Sequence, residues 1–394
     1  MRAEAQLLVD LSVLAGQDDH SGIQRVVRGV LRELQRAPPP GWRIEPVYDA
    51  GGHYAYARRF GASAADDDTP IRVAAGDLFF GLDLCPNQVP ANAAVLQDLR
   101  RHGVQLYFMV YDLLPITHAE MFVAGARPWF SHWLRTVAGM ADGLVCISRA
   151  VADELTAWLE DEGIRRPDAL QIAYCHLGAD LPPAAADETA DAPGLTDQAD
   201  PALLAALAAR PCLLMVGTLE PRKMHGQALD AMELLWQRGV DAALVIVGKP
   251  GWKMGLLGRR LREHPEAGRR LFWLEHAGDA LLTRLYGGAS ALLAASVAEG
   301  FGLPLIEAAR HALPVIARDI PVFREVGGEH CWYFQADGSQ ALAAALQAWL
   351  ALSAAGRAPA SAAMPYLSWA DSTAQIVACL QGRRRYRVAP TWLA

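Results

Sequence analysis

Glu299 and Glu307 stand eight positions apart around Gly300-Phe301-Gly302-Leu303-Pro304. The segment follows an apolar run over residues 290–296 that reads as a buried strand. It passes through two glycines and opens a helix at Pro304, a residue suited to the first helical turn. Glycines let a backbone approach a ligand, and N–H groups at a helix N-terminus attract anions. Glu307 lies about one turn inside that helix, where side chains tilt back toward the N-terminus. Two carboxylates therefore flank a loop built for an anion. Acids beside an anion site make sense if they accept hydrogen bonds from hydroxyls. An anion flanked by hydroxyls describes a sugar nucleotide.

Other residues of chemical interest also follow strand-like runs. Gly217-Thr218-Leu219-Glu220-Pro221-Arg222-Lys223 sits at a strand-to-helix turn, where Arg222 and Lys223 would neutralise a diphosphate. The competing reading is an exposed basic turn. Lysine is scarce here: Lys223, Lys249 and Lys253 are the only three, and the remaining basic residues are arginine. Gly248-Lys249-Pro250-Gly251-Trp252 looks like a glycine-rich turn beside a nucleotide, although Trp252 would serve equally in packing. In the first half, Ser21 and Gln24 form a capping box, and Gly22 would let a phosphate approach that helix N-terminus. A plain capped helix explains the same residues. Asp112 closes a strand and His118 lies in the loop after it. Either could take a proton from an acceptor hydroxyl, while a packing role competes for His118. Asp18, Asp19 and His20 read as a solvated loop, and Asp66-Asp67-Asp68 as an exposed turn, so no metal site is expected. The Gly-x-Gly-x-x-Gly dinucleotide fingerprint is missing.

These residues need a scaffold, and the chain alternates strand-like and helix-like runs along its length. First-half strands are expected over residues 6–13, 43–48, 78–82, 104–111, 143–147 and 170–174, with helices over 22–36, 92–102, 127–140 and 150–162. Residues 182–200, rich in Pro, Ala, Asp and Thr, read as a linker. A second series follows, with strands over 212–217, 242–248, 271–274, 291–295, 314–317 and 331–334. Its helices cover 223–238, 256–264, 280–287, 305–311 and 340–352. A last helix over 369–380 starts at a Ser368…Asp371 capping box. The pattern predicts an α/β chain of two doubly wound, Rossmann-like domains, with ligands at the carboxyl ends of the strands in a cleft. The expected divisions are 1–182, a linker over 183–209, a second domain over 210–365, and a tail over 366–394 crossing back to the first.

Composition narrows the classes. The 394 residues are 52% hydrophobic, which excludes a disordered chain. A net charge of -7 argues against a nucleic-acid partner held by bulk charge. Six scattered cysteines without a Cys-x-x-Cys pair suit a reducing compartment. No signal-peptide layout and no apolar run of ~20 residues appears. A cytoplasmic protein is expected, with any membrane contact peripheral. The basic run Arg383-Arg384-Arg385-Tyr386-Arg387 reads as a solvated end rather than a lipid patch.

The paired glutamates around Gly-Phe-Gly-Leu-Pro, joined to the turn 217–223, resemble the signature of retaining glycosyltransferases of family 4, which have the GT-B fold. Residues 21–28, 111–118, 248–252 and 318–325 are similar to the mannosyltransferase group that builds bacterial O-antigen polysaccharide. The resemblance implies that Glu299 holds hydroxyls of a donor sugar and Glu307 the ribose hydroxyls. Arg222 and Lys223 would hold the diphosphate and stabilise it as it leaves, with Gly217 and Lys249 beside it. Backbone amides of Phe301, Gly302 and Leu303 would contact sugar or phosphate, and Gly22 would approach the diphosphate from the other domain. It implies no metal and no cofactor, two cations standing in for the ion. Two positions depart from the pattern: Tyr111 replaces a His that precedes the aspartate in many members, and Met224 stands where Asn is common.

The expectation is transfer of a hexose, mannose from GDP-mannose by resemblance, to a hydroxyl of a saccharide or lipid-linked saccharide, with configuration retained. A sugar-nucleotide epimerase or phosphorylase of the same architecture, or a non-catalytic sugar-nucleotide-binding subunit, remains open on sequence alone.

Overall fold

The computed structural model describes residues 4–17, 21–61, 69–164, 166, 168–179 and 200–389. Asp18, Asp19, His20, Asp66, Asp67 and Asp68 lie outside these residues, as does the expected linker up to residue 199. Strands in chain order are β1 (Ala5–Asp10), β2 (Trp42–Asp49), β3 (Tyr54–Tyr56), β4 (Leu78–Gly81), β5 (Gln105–Val110), β6 (Gly143–Cys146) and β7 (Leu170–Tyr174). Then follow β8 (Cys212–Val216), β9 (Ala243–Val247), β10 (Leu271–Leu274), β11 (Ala291–Ala294), β12 (Val315–Arg318), β13 (Cys331–Phe334) and β14 (Arg387–Ala389). The chain divides into two compact units. One comprises Met1–Thr117, Ala124–Gly178 and Leu367–Ala394; the other comprises His118–Val123 and Ala179–Tyr366.

In the first unit the strand order is β14-β7-β6-β5-β4-β1-β2-β3. The strands run parallel except the two edges, β3 and β14. In the second unit the order is β10-β9-β8-β11-β12-β13, all parallel. Strands covered on both faces must be apolar on both, and they read as continuous apolar runs. β9, Ala-Leu-Val-Ile-Val, is buried at every residue. β8 lies between β9 and β11, and Val216 pairs with Val247. The turns leaving β8 and β9 are therefore neighbours at one end of the sheet.

Three expectations need correcting. The strand expected over 6–13 stops at Asp10, and Ser12–Gly16 forms a short helix. The Asp10 carboxylate accepts the backbone N–H of Ser12 at 3.0 Å and its hydroxyl at 2.5 Å, while Asp83 accepts the N–H of Leu14 at 2.7 Å. Two buried acids thus outcompete the strand by binding helix-start donors. The end of the expected linker is a helix, Pro201–Ala209, capped where Asp200 accepts the N–H of Ala202 at 2.8 Å. The basic run is solvated at Arg383, Arg385 and Arg387, but it is not a loose end. It leads into β14, antiparallel to β7, with Arg384 Nε donating to the Tyr174 carbonyl at 2.9 Å and Tyr386 bonded to Asp153 at 2.8 Å.

The helix Gly22–Arg36 carries the capping box expected from Ser21 and Gln24. The helix Trp369–Leu380 packs on it, and a Cβ at Gly29 would meet the Trp369 ring at 2.7 Å. The chain's last described helix therefore fixes the helix that begins at Gly22. All six cysteines are free and buried. Among the described residues no helix is long and apolar enough to cross a membrane.

Candidate active site

The second unit brings Arg222, Lys223 and Glu299 together. After β8 the chain makes a short 3-10 turn, Pro221–Lys223, before the helix His225–Gln237. Glu299 lies in the loop between β11 and the helix Leu303–Arg310. Its carboxylate receives Arg222 Nη1 at 2.6 Å, Lys223 Nζ at 2.5 Å and the Ser296 hydroxyl at 2.7 Å. Burial alone would push the Glu299 carboxyl up, but the two cations outweigh it and hold it at about 2. Gly217 lies beside Lys223 Nζ, and its φ of +137° is a conformation that favours glycine. A small cavity lined by Lys223, His225, Ser296, Glu299, Gly302 and Phe323 adjoins the cluster.

Gly302, Leu303 and Glu307 lie at the start and in the first turns of the helix after β11. Gly302 precedes the helix with φ +98°, a left-handed conformation glycine adopts without penalty, and a Cβ there would meet Phe323 at 2.8 Å. Phe301 is buried. Glu307 is buried one turn into the helix and accepts the Tyr286 hydroxyl at 2.6 Å, while the Tyr286 ring stacks on His311 at 5.4 Å.

The turns after β8 and β9 are zipped together. Leu219 N–H donates to the Lys249 carbonyl and Gly251 N–H to the Leu219 carbonyl, both at 2.9 Å. Gly248 is required by this contact, since a Cβ would lie 2.0 Å from the Gly217 oxygen. Lys249 is half-buried in that loop. Trp252 packs: its indole N–H donates to the Met121 carbonyl at 2.9 Å and its ring stacks on Phe122 at 5.3 Å.

The acceptor-side candidates separate. Asp112 belongs to the first unit, follows β5 and accepts the N–H of Leu114 at 3.0 Å. His118 belongs to the second unit, in the segment that meets Trp252. Tyr111 is buried and donates to the Leu82 carbonyl at 2.8 Å. Burial pushes its phenol well above the usual range, so it is a structural residue and no base. Gly22 opens its helix with unobstructed space where a Cβ would go. Among the described residues no three His, Cys, Asp or Glu side chains are grouped to hold a metal.

Sequence reasoning missed four residues around the cluster. Ser296 ends the β11 run three residues before Glu299 and bonds to it. Tyr286 anchors Glu307 from a helix whose pattern signalled only packing. His225 is buried beside Lys223, and burial first, then Lys223, pull its imidazole down to about 3, so it is neutral. Glu220 stands two residues before Arg222 and pairs with its Nε at 2.9 Å. The signal for Glu220 was present, an acid in the same turn as the two cations.

Residues 204–363 match the family described as Glycosyl transferases group 1. The match is confined to the second series of strands and helices. The matched residues contain the whole Arg222, Lys223 and Glu299 cluster together with Glu307. The chain is also 42% identical over 380 residues to the serotype-specific mannosyltransferase WbdA of Escherichia coli, covering 94% of this chain and 46% of that protein. It thus spans about half the length of the curated relatives it matches. Among solved structures, Anabaena HepE in complex with UDP and glucose superimposes with a TM-score of 0.65 at 13% identity, covering 96% of this chain and 100% of HepE. Sucrose-phosphate synthase from Thermosynechococcus elongatus gives 0.65 at 17% identity, with 96% and 99% covered. These likenesses establish the fold: two Rossmann-like parallel sheets of the GT-B class.

Proposed function

We propose that this chain is a retaining mannosyltransferase that moves mannose from GDP-mannose to a saccharide hydroxyl in O-antigen or related cell-surface polysaccharide synthesis. The observation that carries this reading is the buried pairing of Arg222 and Lys223 with Glu299 at the carboxyl ends of β8 and β11. The kinship with WbdA supports mannose as the sugar. In this reading the two cations exchange Glu299 for the diphosphate and stabilise its charge as the glycosidic bond to the donor breaks. Glu299, released from them, accepts hydrogen bonds from the sugar hydroxyls. The amides of Phe301, Gly302 and Leu303 meet phosphate or sugar, and Glu307, steadied by Tyr286, accepts the ribose hydroxyls. Lys249 adds to the diphosphate site. The leaving phosphate takes the acceptor proton, so Asp112 and His118 orient the acceptor rather than deprotonate it. Neither a metal nor a cofactor is needed, because fixed cations meet the developing charge. The acceptor is a growing or lipid-linked saccharide, met by a peripheral enzyme on the cytoplasmic side of the membrane.

The test is transfer of radiolabelled sugar from GDP-mannose, GDP-rhamnose, UDP-glucose and dTDP-rhamnose onto a lipid-linked mannosyl acceptor, with the product anomer read by NMR. GDP-mannose is expected to be used at least tenfold faster than the others, giving an α-mannoside unaffected by EDTA. Transfer from a UDP- or dTDP-sugar alone, or a β-mannoside product, rules this reading out.

A further inference from the structure

Among the described residues, two cations at the cluster face two carboxylates. Glu299 is fully served by Arg222, Lys223 and Ser296. Glu220 is not. It is buried, and its Oε2 lies 2.9 Å from Arg222 Nε without receiving an aligned hydrogen bond. The loop at Gly251 packs close against it, and a Cβ at that glycine would stand 3.1 Å from Glu220 Cγ. The charges acting on it are those of Arg222, Lys223 and Glu299, and the loop packed against it carries Lys249 and Lys253. Burial already pushes the Glu220 carboxyl above its ordinary range despite the two cations. A buried carboxylate held by one misaligned contact is poorly compensated.

A nucleotide diphosphate sugar brings two fixed negative charges to the same cations. It draws Arg222 toward phosphate and adds like charge beside Glu220, and both changes favour the neutral acid. We propose that Glu220 takes up one proton from solvent as the donor binds, so that an uncharged carboxylic acid remains beside the phosphate-engaged Arg222. This rests on the donor reading above. Because Glu220 holds its proton more tightly in the complex, donor affinity falls as pH rises between its free and bound titrations. His225 does not compete for that proton, since its imidazole starts from about 3.

Calorimetric titration of GDP-mannose into the intact protein tests this, between pH 6 and 8, in buffers of different ionisation enthalpy. GDP-mannose has no free terminal phosphate to titrate in that range, so proton exchange reports the protein. The expected result is net uptake of up to one proton per donor in the wild type. Uptake vanishes in Glu220→Gln and persists in Glu154→Gln, whose carboxyl is also raised by burial but lies in the first unit, with circular dichroism confirming that each variant is folded. Binding without uptake in the wild type overturns the proposal and leaves the donor reading intact. Uptake unchanged in Glu220→Gln, or lost only in Glu154→Gln, also overturns it. No binding of GDP-mannose, or of UDP-glucose as a second probe, overturns both.

Discussion

Two buried carboxylates, Glu299 in the second unit and Asp10 in the first, are treated in opposite ways. In the second unit Glu299 sits against Arg222 and Lys223, which hold its carboxyl at about 2 against the effect of burial. In the first, Asp10 is wholly buried with Ser12 as its donor and, among the described residues, no cation as a leading influence on it. Burial first, then Asp83 and Asp49, push Asp10 up to about 7 against the pull of the Ser12 hydrogen bonds. Glu154 is raised to about 7 by burial and Asp112, and Asp83 is also raised by burial. The first unit uses acids to fasten backbone, as Asp10 and Asp83 do for Ser12–Gly16. The second uses an acid to store two cations in place. Only the second arrangement offers charge that a ligand can take over, which places the electrostatic work of the proposed reaction on Arg222 and Lys223.

The largest effects should follow that division. Arg222→Ala or Lys223→Ala is expected to lower kcat for mannosyl transfer by ~10²–10³, the cost typical of losing one charge-stabilising donor. Asp112→Asn in the first unit should cost under ~10-fold, well below the 10²–10⁴ a general base contributes. Steady-state rates on one acceptor decide it. Equal losses on both sides would break the contrast and make Asp112 a base.

Acid should also separate the two. Asp10 has a folded value near 7 against an ordinary 3.8. Its contribution is fully present below about 3.8 and is lost as pH rises through about 7, a difference on the order of 4 kcal/mol. Glu299, depressed to about 2, works the other way: its contribution is present above 4.5 and lost as pH falls through 2. His225, held at about 3, contributes in the opposite sense over the same range, so the test is a difference: in urea unfolding the wild type should lose more stability from pH 4 to pH 7 than Asp10→Asn does. A slope unchanged by Asp10→Asn would mean the carboxyl is not protonated in the fold.

How much of this was legible from sequence follows the same physics. All six strands of the second sheet and the helix opening near Pro304 could be read, because parallel strands buried on both faces are unbroken apolar runs and Pro marks a first turn. The Arg222–Lys223–Glu299 contact was implied by strand-end positions, but its partners Ser296 and Glu220 were not, since a lone Ser or Glu carries no pattern. β3 and β14 escaped because three-residue edge strands have no periodicity to detect. Helix 12–16 escaped because it depends on Asp83, a residue about seventy positions away. Tyr111 was read as a missing base. The fold shows a phenol buried against the Leu82 carbonyl, a partner that only tertiary contact reveals.

Glycines at the two helix starts should respond with opposite sign. Gly302→Ala combines a φ of +98° with a 2.8 Å approach to Phe323 and is expected to cost more than ~2 kcal/mol. Gly22→Ala meets open space in a helical position and should gain up to ~1 kcal/mol. If the Gly22 backbone approaches phosphate, the added methyl raises KM for the donor despite the gain in stability. A more stable Gly22→Ala protein with unchanged KM would reduce Gly22 to a helix start.

The smallest effect concerns how the two helices are entered. The helix at Gly22 begins from an extended Ser21 whose side chain caps it. The helix at His225 begins from Met224 at φ 57°, ψ 31°, with no side-chain cap. A left-handed residue with a Cβ costs ~1–2 kcal/mol unless it is Gly, or Asn with its local hydrogen bonds. That gives a physical reason for the family's Asn at this position. Met224 is half-buried against the second unit's core, so its thioether packing offsets the strain. Met224→Ala and Met224→Asn both lose that packing, but only Asn suits the backbone. The Asn variant should therefore be the more stable of the two by ~0.5–1 kcal/mol in denaturant midpoint. Should Ala match or exceed it, the left-handed turn is held by the neighbouring Arg222–Lys223 contacts and not by the preference of residue 224.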